Sequence, residues 1–90
     1  MIVTTIKVTA AGTRVQSSKA GAIKSVLVRA RSDNTGTAYV GDSDVSSTNG
    51  LALEPGEAET IHFNGFGKLN DFYADVDTNN DQVDLFADNS

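Results

Sequence analysis

Ninety residues with no cysteine and a formal net charge of −5 at pH 7 exclude several classes of protein at once. No disulfide, thiolate zinc site or cysteine nucleophile is available, and an acidic domain repels phosphate backbones, which disfavours a nucleic-acid partner. A chain this short forms one domain, residues 1–90, and buries only about 60% of the surface its unfolded form exposes, so oligomer contacts or docking on a larger surface would be a natural supplement.

In chain order, Met1-Ile2-Val3-Thr4-Thr5-Ile6-Lys7 has neither the basic region nor the long apolar run of a signal peptide. No stretch approaches the roughly 20 apolar residues that span a bilayer. Apolar residues then recur with a period of two. Ile6 and Val8 alternate with Thr5, Lys7 and Thr9; Val26, Val28 and Ala30 with Leu27, Arg29 and Arg31; Ala38 and Val40 with Thr37 and Tyr39. Ile61 and Phe63 flank His62. Phe72, Ala74 and Val76 alternate with Tyr73 and Asp75, and Val83, Leu85 and Ala87 with Asp84, Phe86 and Asp88. Successive strand side chains point to opposite faces, so each run offers one face to a core.

Turn signals separate these runs: Ala11-Gly12, Ala20-Gly21, Asp33-Asn34-Thr35-Gly36, Asn49-Gly50, Pro55-Gly56, Asn64-Gly65 and Thr78-Asn79-Asn80-Asp81. Residues 68–72 suit a single helical turn. Short strands bounded in this way predict an all-β fold, a sandwich or a barrel. The expected core is Ile6, Val8, Val15, Ile23, Val26, Val28, Ala38, Val40, Leu51, Leu53, Ile61, Phe63, Leu69, Phe72, Ala74, Val76, Val83 and Leu85. Leu27, Tyr39, Tyr73 and Phe86 fall on the opposite faces and, if clustered, make an apolar contact patch. Basic residues (Lys7, Arg14, Lys19, Lys24, Arg29, Arg31 and Lys68) lie mostly in the first third and acidic ones dominate the last, an asymmetry that would orient the molecule on a charged partner.

Little in the chain points to catalysis. His62 faces away from the core that its neighbours build, and Ser17, Ser18, Ser43, Ser46 and Ser47 sit in polar loops without a nucleophile elbow. The carboxylate pairs Asp42/Asp44, Glu57/Glu59 and Asp75/Asp77 have glycosidase-like spacing. Such an enzyme also needs an aromatic-lined cleft, and this chain has no tryptophan, two tyrosines and four phenylalanines. Asp75-Val76-Asp77-Thr78-Asn79-Asn80-Asp81 resembles the start of a calcium loop. An EF-hand, however, places Gly sixth and Glu twelfth, where this chain has Asn80 and Phe86. A hairpin turn between strands over residues 72–75 and 82–87 accounts for the same residues. Gly65-Phe66-Gly67-Lys68 lacks the ending of a phosphate loop and reads as a sharply turning loop. The expectation is a non-enzymatic protein with no catalytic residues, cofactor or metal.

One longer pattern remains. Asn34-Thr35-Gly36-Thr37-Ala38-Tyr39-Val40-Gly41-Asp42-Ser43-Asp44-Val45, followed by Thr48-Asn49-Gly50-Leu51-Ala52-Leu53-Glu54-Pro55-Gly56-Glu57, resembles small phage virion structural proteins of the capsid decoration (cement) and head-fibre type. The segments Thr60-Ile61-His62-Phe63, Leu69 to Val76 and Val83-Asp84-Leu85-Phe86 continue it, so it spans Ser25 to Phe86. The positions that carry it are Asn34, Gly36, Tyr39, Val40, Gly41, Gly50, Leu53, Pro55 and Gly56. The resemblance implies a jelly-roll-like β fold with Greek-key connections, and a place on the capsid surface of a virion. It also implies the major capsid protein and further copies of the chain, as a homotrimer, for partners, with no membrane and no nucleic acid. Residues 1–13 fall outside it, as an arm or an edge strand, and Ile2, Val3, Thr4 and Thr5 are the candidate contacts through strand addition. Rival readings are another virion surface part (head fibre, neck or tail) and a carbohydrate-binding module using Tyr39, Phe66, Tyr73 or Phe86 as its aromatic platform.

Overall fold

A computed structural model of the chain describes residues 1–89. Eight strands form among them: β1 (Ile2–Lys7), β2 (Val15–Gln16), β3 (Ala22–Ala30), β4 (Ala38–Gly41), β5 (Leu51–Leu53), β6 (Ala58–Lys68), β7 (Tyr73–Val76) and β8 (Gln82–Asp88). They make two four-stranded sheets, a front sheet in the order β1-β8-β3-β6 and a back sheet in the order β2-β7-β4-β5. All pairings are antiparallel, and β1 pairs with β8, β2 with β7, β3 with β6 and β4 with β5. The first half of the chain is thus one arm of a long hairpin and the second half the other. Rolled up, consecutive strands alternate between the sheets except at the β4–β5 hairpin. This is jelly-roll topology, and the two facing sheets make the fold a sandwich rather than a closed barrel.

The period of two places the core. Val26, Val28 and Ala30 of β3 and Val83, Leu85 and Ala87 of β8 point inward from the front sheet, against Ala38, Val40, Leu53, Ala74 and Val76 of the back sheet. Each fully buried Val or Leu contributes roughly 1.5–3 kcal/mol. Val15, Leu51, Ile61 and Phe63, expected in the core, are only partly buried at its margins. Val45 is buried although it lies in the loop between β4 and β5, where no periodicity marks it.

Two expectations fail on topology. The turn at residues 77–81 closes no hairpin, because β7 and β8 belong to opposite sheets. Gly65-Phe66-Gly67-Lys68 is no turning loop but the end of β6. There Ile23 pairs with Gly67 and Ser25 with His62, so residues 63–66 bulge out of the ladder. The helical turn forms as a 3-10 turn over Leu69–Asp71.

The chain crosses between sheets at one end through two loops that lock together. The Asn34 side chain behaves as a strand rung: its Nδ2 donates to the Gln82 carbonyl at 2.9 Å, and its Oδ1 accepts from the Gln82 N–H at 2.9 Å. The buried Asp81 carboxylate accepts the Thr35 and Gly36 N–H groups at 3.0 and 2.9 Å. Gly36 must lack a side chain here, since a Cβ would stand 2.7 Å from Thr78 Oγ1. Pro55-Gly56 makes a tight turn, closed by the Glu57 N–H on the Glu54 carbonyl at 2.9 Å, with Gly56 at φ +87° as a type II turn requires.

Candidate functional site

The N-terminal residues form the edge strand of the front sheet, paired with β8 from Ile2 opposite Ala87 to Lys7 opposite Gln82. Ile2 packs partly against the core, Thr4 is buried, and Val3 and Thr5 face outward. The free edge of β1 is blunted, because Lys19 Nζ donates to the Val3 carbonyl at 3.1 Å. A cation on an edge carbonyl discourages addition of another strand.

The outer face of the front sheet follows from the register. Val3 lies opposite Phe86, and Phe86 opposite Leu27, an apolar row across β1, β8 and β3. Val3 is 47% exposed, whereas Leu27 and Phe86 are half-buried. The next rung is polar: Thr5, Asp84 and Arg29. Thr5 Oγ1 donates to Asp84 Oδ1 at 2.7 Å, and Arg29 Nη2 to Oδ2 at 2.9 Å. Arg31 Nε reaches both oxygens, at 3.1 and 3.2 Å. The Arg29 guanidinium also lies 5.5 Å from the Phe86 ring centroid, within cation–π range.

Asp84 is only 4% exposed although it sits on an outer face, because the two arginines cover it. Burial pushes its carboxyl up; the hydrogen bonds from Thr5, Arg29 and Arg31 and the charge of Arg31 outweigh burial and leave it below the ordinary 3.8. Beside the cluster a groove of about 420 Å³ opens, lined by Arg29, Arg31, Ser32, Asp33 and Gly56. The sequence placed these arginines in a basic third and Asp84 in an acidic third. The sheet brings them into contact, which the alternation of each strand alone does not reveal.

Other expected groupings come apart. Leu27 and Phe86 meet on the front face, but Tyr39 and Tyr73 lie outward on the back sheet, so the four make no single patch. Tyr39 donates to Asp77 Oδ2 at 2.8 Å; this bond, with desolvation and the charges of Asp77 and Glu54, raises its phenol above 10.0. The carboxylates of the calcium-like segment diverge. Asp75 accepts the Gly12 and Val76 N–H groups, Asp77 the Tyr39 hydroxyl, and Asp81 the Thr35 and Gly36 N–H groups. Among the described residues no group of three or more histidines and carboxylates is placed to hold a metal ion. Exposed His62 pairs with Ser25, which pairs in turn with Asp88. The serine stands in the middle of this row, whereas a nucleophilic relay needs the histidine between serine and acid. Phe66 is 66% exposed on the β6 bulge, with Lys24 Nζ 5.8 Å from its ring centroid. No helix among the described residues is long and apolar enough to cross a membrane.

No protein-family model matches this chain, and neither a curated protein sequence nor a solved structure is significantly similar to it.

Proposed function

We propose that the chain is a capsid decoration (cement) protein that docks on a phage head through the outer face of its front sheet. The observation that carries this reading is the contrast on that face. An apolar row, Val3–Phe86–Leu27, adjoins two arginines on one aspartate in a chain of net charge −5. A partly exposed apolar strip beside two arginines suits a partner surface that is apolar and acidic. The resemblance of residues 25–86 to virion structural proteins supplies the identity of that partner, the major capsid protein.

In this reading three copies meet at a local three-fold position on the shell. Each contributes a modest interface, and bridging neighbouring capsomers turns weak contacts into a strong lattice effect by raising the effective concentration of the next contact. The partners are the major capsid protein and further copies of the chain, without nucleic acid, membrane or enzymatic activity, and the location is the capsid surface. Quantitative mass spectrometry of purified virions tests it. A copy number comparable to the shell protein supports decoration; absence from the particle overturns it. A handful of copies per particle selects the second reading, a head fibre, neck or tail part. That reading draws on Tyr39 and Tyr73, half-exposed on the back sheet and suited to host carbohydrate.

A further inference from the structure

Asp84 holds two guanidiniums with a single negative charge. It engages Arg29 through Nη2 and Arg31 through Nε, and Arg31 Nη2 lies 3.4 Å from Thr5 Oγ1. A guanidinium carries five N–H donors in a planar fork, so each arginine keeps donors beyond these bonds. Their side chains remain 47% and 39% exposed, and both residues line the groove with Ser32, Asp33 and Gly56. The arginines are already fixed by Asp84, so a ligand would immobilise little that folding has not immobilised already.

We propose that the groove formed by Arg29, Arg31 and Ser32 binds a carboxylate, presented by an acidic side chain of the surface on which the front sheet docks. The proposal rests on the docking reading for its source of carboxylate, but the site belongs to the isolated chain. The planar fork of arginine matches the two oxygens of a carboxylate or of a phosphate. Asp33 on the groove wall decides between them. Its charge, added to that of Asp84, makes the groove formally neutral, so the donors of the arginine forks rather than net charge hold the ligand, and the larger cost of desolvating a dianion favours a single carboxylate over phosphate.

The test is nitrogen–proton NMR of the full chain titrated with sodium acetate, with sodium phosphate and with sodium chloride at matched ionic strength. Acetate is expected to give saturable shifts confined to the arginine Nε–H signals and the amides around Ser32 and Asp33. Arg31→Gln should remove them. Asp33→Asn, a change at an exposed side chain, should tighten acetate binding roughly threefold, the effect of removing one surface charge. Acetate shifts no larger than those of chloride, or an Asp33→Asn variant that binds no tighter, would overturn the site. Phosphate binding more strongly than acetate would overturn its assignment to a carboxylate. Saturable acetate binding together with unchanged attachment of Arg31→Gln to phage heads would keep the site and sink the docking reading.

Discussion

Asp81 and Asp84 are both buried acids at the start of the last strand, and their partners differ in kind. Asp81 accepts two backbone amides of the β3–β4 loop, Thr35 and Gly36. Asp84 accepts only side chains, those of Thr5, Arg29 and Arg31. A backbone amide cannot leave its acceptor unless the loop moves, so the bonds of Asp81 hold the two sheets in place at that end. A guanidinium on a half-exposed stem can share its remaining donors with a second anion while the first stays bound. Burial of a carboxylate therefore does not distinguish structure from site; what it is bonded to does.

The largest effect that would sharpen this comparison is expected at Asp81. Asp81→Ala removes a buried carboxylate that holds two amides of a part-buried loop and should cost about 3 kcal/mol. It should appear as a lower urea midpoint at an unchanged slope. Asn34→Ala, on the same lock, removes both bonds to the Gln82 backbone and should cost about 2 kcal/mol. Asp84→Ala should cost less, about 1 kcal/mol, because the freed arginines rehydrate. If Asp84→Ala destabilised more than Asp81→Ala, the comparison would be reversed.

Acid adds a further test. Asp84 has its folded pKa depressed below 3.8, so its contribution is present above the unfolded value and is lost as pH falls through the folded one. Stability should drop below about pH 4, and Asp84→Asn should drop less there, read from urea midpoints at successive pH values. The smallest effect belongs to the back face. Asp77→Asn should bring the Tyr39 phenol down towards 10.0, visible in phenolate absorbance, with no measurable change in urea midpoint. A Tyr39 titration that ignored this substitution would remove Asp77 as the cause.

Val26, Val28, Val83 and Leu85 alternate with polar neighbours, and all are buried. Gly56 follows proline in the turn its type demands. The motif residue Asn34 was visible as a motif, but its bonds to Gln82, forty-eight positions away, were not. The same holds for the cluster at Asp84, whose partners come from β1 and β3.

Alternation along each strand is local, set by the pleat of the backbone, and so the sequence alone determined the all-β class, the faces of the strands and most of the turns. Which strands become neighbours is a long-range matter of burying every apolar face at once. Only the tertiary structure therefore sent β7 and β8 to opposite sheets, separated Tyr39 and Tyr73 from Leu27 and Phe86, and gathered Arg29 and Arg31 around a single carboxylate.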